Sequence, residues 1–197
     1  MFGNTAMRRE VLSRMRDTGI GVYDVEIIRL TRDTVAADYE RLFEAAAALG
    51  AKRIKVVGVD SDKGLMTDKF AQVCRLAAPY GLTIDIEFVS FLGVRSLEAA
   101  LRVVRSAAQP KGNLLVDALH LSRSGGTPED VAALNGSDMG YIQLCDAGPA
   151  VPGDDQGKML EARGRTLAPA DGVLPLTALL RAVPAHFPIS LEVPMAG

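Results

Sequence analysis

Short apolar runs alternate along the chain with longer stretches in which apolar residues recur every three or four positions, the pattern of strands alternating with helices. Six runs read as strands: GVYDVEIIRL (21–30), RIKVVGVD (53–60), LTIDIEFVSF (82–91), NLLVDALHLS (113–122), MGYIQLCDA (139–147) and PISLEVP (188–194). The first four recur at about thirty residues, the length of one strand and one crossover helix. Thr34 is placed to cap a helix that carries Val35, Tyr39, Leu42, Phe43 and Ala46 on one face and stops at Gly50. Thr67 is placed to open a second, with Phe70, Val73, Cys74 and Ala77 inward, and Ser96 a third, with Leu97, Ala100, Leu101 and Val104 inward. Thr127-Pro128-Glu129-Asp130 opens a fourth, because proline at the first helical position has the right φ and Asp130 can answer the cap. A last helix spans 176–183.

Strand and helix in strict alternation imply a parallel sheet. An open dinucleotide-binding sheet needs G-x-G-x-x-G between its first strand and helix, whereas Gly19-Ile20-Gly21 precedes a strand, and no phosphate-binding loop of the Walker type is present. A closed (β/α) barrel fits better, since its active site collects residues from the C-terminal ends of many strands. Within 82–91, alternation puts Ile84 and Ile86 toward the helices and Asp85 and Glu87 toward the barrel axis.

Four oxygen-bearing side chains stand out in these runs: Glu87, Asp117, Gln143 and Glu192, each near the middle or C-terminal end of its strand. Burying a carboxylate costs several kcal/mol unless a cation or tight hydrogen bonding compensates, so a set of them on apolar strands marks the place to look for chemistry. Taken singly, each reads as a structural hydrogen-bonding group; four together reverse that reading.

Composition narrows the classes. The 197 residues are 48% hydrophobic and 23% charged with net charge −2, values of one ordinary globular domain spanning 1–197. No basic run exists beyond the KRIK of Lys52 to Lys55, which reads as the solvated approach to a strand, so a nucleic-acid partner is not expected. Two cysteines, Cys74 and Cys145, are too few for a zinc cluster or disulfide framework and suit a reducing cytoplasm. Neither a membrane-spanning run nor a signal-peptide core is apparent, and a soluble cytoplasmic protein is expected.

The series DIEF, VDALH, IQLCD, EARGRTLAPADG and SLEVP resembles the xylose isomerase-like TIM barrels of the sugar phosphate isomerase/epimerase superfamily, over nearly the whole chain. That resemblance implies a divalent metal held by Glu87, Asp117 and Glu192, with Gln143 where the family places a histidine. An all-oxygen set favours Mn²⁺ or Mg²⁺ over Zn²⁺, and the departure moves the chain away from zinc-dependent members that cut DNA. The resemblance further implies Glu87 and Glu192 as acid/base groups that remove and return a proton α to a carbonyl, through an enediolate. His120 stands either as a partner for a substrate oxygen or as a cap for the loop that begins at Ser122, and Arg163 or Arg165, in the loop after the seventh strand of the family, as a partner for a phosphate or sugar hydroxyl. Glu26 and Arg29 either face the site or pair with each other. Asp60, Cys145 and Asp146 read as turn or strand-end residues, His186 as a surface residue and Gly125-Gly126 as a hinge.

Eight βα units need about 250 residues, and six strands in 197 residues point to an incomplete barrel that lacks the family's first two strands and last helix. Unpaired edges invite another chain, so the expectation is either a homodimer across the open side or a chain that is only marginally stable. Three functions follow: an isomerase or epimerase of a sugar or sugar phosphate first, a dehydratase of an inosose-like cyclic ketone second, and a non-catalytic binding module on the same scaffold third.

Overall fold

The computed structural model describes residues 3–164 and 166–194. Its centre is a six-stranded, all-parallel sheet in the order β1 (Asp24–Leu30), β2 (Arg53–Gly58), β3 (Thr83–Glu87), β4 (Gly112–Asp117), β5 (Met139–Leu144), β6 (Ile189–Leu191). Sequential order with every neighbour parallel is the topology of a (β/α) barrel wall, and the six strands form a half-barrel. Helix α1 (Ala6–Thr18) precedes the sheet, and α2 (Glu40–Ala48), α3 (Lys63–Ala77), α4 (Leu97–Ala107), α5 (Ala118–Arg123), α6 (Pro128–Ala132), α7 (Asp155–Gly164) and α8 (Leu176–Ala182) follow the strands. None of these helices is long and apolar enough to cross a membrane.

The period of two along each strand separates two faces. Ile54, Val56, Ile84, Ile86, Leu114, Val116, Ile142 and Leu144 enter one buried cluster with Phe70, Val73, Ala100 and Val104 of α3 and α4. The other parity, carrying Lys55, Asp85, Glu87, Asp117 and Gln143, faces the concave side and is buried as well. The sheet edges are not equally covered: Ile27 on β1 is 42% exposed and Leu191 on β6 is 68% exposed.

Near the N-terminal ends of the strands the concave face is closed by a polar cluster. Arg53 Nη1 lies 2.5 Å from Asp85 Oδ1, its Nε donates to Tyr23 Oη at 3.1 Å, and Tyr141 donates to Asp24. The Arg53 guanidinium sits 6.0 and 5.9 Å from the ring centroids of Tyr23 and Tyr141, which themselves meet edge to face. Glycine at position 140 leaves room for this pair, since a Cβ there would overlap Asp85 Oδ1 and Arg53 Nη1 and force them to move.

Two helix starts agree with the sequence. Ser96 Oγ accepts from Ala99 N, and Thr127 and Asp130 form a reciprocal capping box. Two differ. Thr34 caps nothing: its hydroxyl accepts from Thr31 N and donates to the Arg29 carbonyl, and a 3₁₀ turn (Ala36–Tyr39) leads into α2. The second helix begins at Lys63 under Asp62, whose carboxylate accepts from Leu65 N, so Thr67 lies inside it and bonds back to the Lys63 carbonyl. The run 113–122 is not one strand but β4 followed at once by α5, with Asp117 as the hinge between them.

Candidate active site

Inward-facing polar side chains near the C-terminal ends of the strands converge on a cavity of about 200 Å³. This is smaller than the roughly 300–1,000 Å³ of pockets for drug-sized ligands and suits one small ring. Glu26, Lys55, Glu87, Asp117, His120 and Glu192 line it, with Arg29, Arg163 and Thr166 around them.

At its floor lies Lys55, the residue that sequence reasoning placed in solvent. Its side chain is 3% exposed. An ammonium so buried needs partners. The Nζ has four: Glu26 Oε1 at 2.9 Å, Glu87 Oε2 at 3.3 Å, Glu192 Oε2 at 3.3 Å and Gln143 Oε1 at 3.4 Å. Burial acts to lower the Lys55 pKa, but the carboxylates outweigh it and hold the group above its ordinary value. Gln143 also donates from Nε2 to Glu26 Oε1 at 3.2 Å, which fixes the direction of its amide. Glu26 therefore pairs with Lys55 and Gln143.

On the other side of Glu87 stand Asp117 and His120. Ligand atoms from these three buried residues all lie within 4.8 Å of one another, the spacing of a divalent-metal site. Burial pushes the Glu87 pKa up to about 7, against the pull of Lys55 and His120. Burial likewise raises Asp117 to about 7. Two carboxyls with raised pKa and a common focus are a site that gains by taking a cation. Asp117 Oδ1 accepts from the His120 backbone N at 2.8 Å, so the same carboxylate that faces the cavity also starts α5. That helical turn brings His120 round to Glu87, with Nε2 4.0 Å from Glu87 Oε1, while Nδ1 meets Ser90 Oγ at 3.3 Å and Phe91 stacks edge-on. Burial lowers the His120 pKa, which favours a neutral imidazole.

Arg163 lines the cavity from the last turn of α7, a helix and not the expected loop, and Arg165 lies outside the described residues. Asp60 accepts from Asp62 N in a turn, and His186 is exposed, as their sequence contexts suggested. Asp146 anchors the segment that returns toward α8, accepting from the backbone N of Ala147, Ala170 and Leu174.

A family model described as xylose isomerase-like TIM barrel matches residues 6–196. The chain belongs to that family. A curated relative, 3-dehydroshikimate dehydratase of Pseudomonas aeruginosa, is 31% identical over 164 residues, which cover 78% of this chain and 25% of the relative. Among solved structures, a xylose isomerase-like TIM barrel/4-hydroxyphenylpyruvate dioxygenase fusion protein superposes with TM-score 0.85 at 22% identity, covering 96% of this chain and 32% of that one. The IOLI protein, solved with a bound zinc atom, superposes with TM-score 0.80 at 20% identity over 98% of this chain and 74% of its own. This xylose isomerase-like chain thus spans about a quarter of the dehydratase and a third of the fusion protein. Two solved epimerases share its fold at low identity: 3-keto-D-glucoside 4-epimerase, with TM-score 0.74 at 16% identity, and D-psicose 3-epimerase, with TM-score 0.72 at 15% identity.

Proposed function

We propose that this barrel binds a divalent metal and catalyses dehydration of a small hydroxy-ketone, beginning with removal of a proton α to the carbonyl. The observation that carries the reading is the meeting of the buried Glu87 and Asp117 carboxylates within 4.8 Å, with the His120 imidazole beside them left for substrate, at a cavity that Glu192 also lines. Sequence alone ranks epimerisation ahead of dehydration. The 31% identity to 3-dehydroshikimate dehydratase reverses that order, since the epimerases among the structural neighbours, at 14–16% identity, support the fold alone.

Glu87, Asp117, Gln143 and Glu192 are the proposed metal ligands, one from each of four strand ends. Lys55 touches three of them, and the fourth, Asp117, lies beside Glu87. Their donors are all oxygen, which favours Mn²⁺ or Mg²⁺ over Zn²⁺. When bound, such an ion supplies Lewis-acid polarisation of the substrate carbonyl. Glu192, with a side chain 39% exposed and therefore free to reach substrate, takes the α-proton. His120 hydrogen-bonds the departing hydroxyl, which leaves as water with the proton that Glu192 collected, so one C–H and one C–O bond break and one C=C forms. Arg29 and Arg163 at the cavity wall hold the anionic or hydroxylated end of the substrate.

The deciding experiment is incubation of the full chain, loaded with Mn²⁺, with 3-dehydroshikimate in one arm and a ketose in D₂O in the other. Growth of a conjugated, ultraviolet-absorbing product in the first arm is expected. Deuterium uptake by the ketose, with no conjugated product in the first arm, would replace dehydration by epimerisation.

A further inference from the structure

The Lys55 ammonium draws partners from β1, β3 and β5 and from the residue that follows β6. A lysine that served only to neutralise one buried acid would need one partner. This one lies 3.3 Å from each of Glu87 and Glu192, the same two carboxylates that the proposed metal would share. Its three N–H donors are all directed at carboxylate and amide oxygens of the protein. What remains is its charge. We propose that Lys55 is a positioning residue that acts as a resident cation: it holds Glu26, Glu87 and Glu192 assembled before a divalent ion arrives and weakens that ion's binding by like-charge repulsion.

The proposal rests on the metal reading above. Four carboxylates line the cavity, Glu26, Glu87, Asp117 and Glu192. Left alone they repel one another, and a single fixed positive charge among them relieves that repulsion at the cost of competing with any second cation a few ångströms away. The result is a site preassembled in its metal-free form that takes its ion reversibly.

The test is equilibrium titration of the metal-free full chain with Mn²⁺, followed by calorimetry, alongside thermal melts with and without the ion. Lys55→Met is expected to bind Mn²⁺ at least ~10-fold more tightly than the wild type and to melt lower without metal, with the loss recovered when Mn²⁺ is added. Lys55→Arg, which keeps the charge, is expected to stay close to wild type in affinity. Should Lys55→Met not fold without metal, the double variant Lys55→Met/Glu26→Gln is compared with Glu26→Gln alone, and the same tightening is expected. Unchanged or weaker binding by the folded variant overturns the proposal, as does equal tightening in Lys55→Arg, which would assign the effect to packing. If the wild type binds Mn²⁺ and Lys55→Met binds no better, only the lysine inference fails; if neither binds, the metal reading fails with it.

Discussion

Two polar layers stand on the same strands, two residues apart. The lower holds Asp24, Arg53, Asp85 and Tyr141; the upper holds Glu26, Lys55, Glu87 and Gln143. In both, an acid on β1 and an acid on β3 flank a base on β2, with a neutral hydrogen-bonding group supplied by β5. The lower layer lies away from the cavity: its cation is a planar guanidinium beside two tyrosine rings that meet edge to face, and none of its members lines the cavity. The upper layer has a compact ammonium set among carboxylates that line an open space. Depth along the barrel axis and the presence of rings, not the kind of charge, separate a structural plug from a place where a ligand can enter.

The difference can be broken first in the upper layer. Glu192→Gln is expected to lower turnover by ~10²–10⁴-fold, the range for loss of a general base, with the melting temperature nearly unchanged because the side chain is partly solvated; retained turnover would remove Glu192 from that role. In the lower layer the reverse holds. Arg53→Met strands the fully buried Asp85 and is expected to cost ~3–5 kcal/mol in chemical denaturation, with Mn²⁺ affinity in the folded protein left as it was. A loss of metal binding without a loss of stability would show that the layers are not separable in this way.

The smallest effect concerns pH. Burial pushes the Asp85 carboxyl up to about 7, with Arg53 pulling it down and Asp24 adding to the rise. Unfolded, the group titrates near pH ~4, so between about pH 4 and 7 the folded chain holds a proton that the unfolded chain releases. Stability from this group is therefore complete below pH ~4 and is lost as pH rises through about 7. Melting temperatures of the wild type should fall between pH 5 and pH 8 more steeply than those of Asp85→Asn; parallel profiles would contradict the assignment.

Much of this architecture was legible because strand and helix periods differ so clearly. Five of the six strands lie inside the apolar runs, and the sixth, β4, begins one residue ahead of its own at Gly112. Ser96 and Thr127 could be read as caps because each immediately precedes a helix-forming stretch. Thr34 and Thr67 misled because a threonine hydroxyl serves a turn or a preceding carbonyl as readily as a helix start. Helix α5 was hidden inside NLLVDALHLS, where a six-residue helix and a buried strand look alike. Helix α7 gave little signal, since its one buried residue is Glu161, held by Arg123 at 2.7 Å. Lys55 is the instructive miss. The alternation that turned Asp85 and Glu87 inward applies equally to RIKVVG, where Ile54 and Val56 face the helices and Lys55 must face the axis. A charge on a strand marks solvent only where parity agrees, and here parity points to the interior.

Asp117 closes β4, opens α5 and faces the cavity, with His120 hung from its own carboxylate oxygen. The acid and the imidazole are consequently not independent parts. Altering the first re-aims the second, so evolution or engineering of this centre can exchange them as a couple more readily than one at a time.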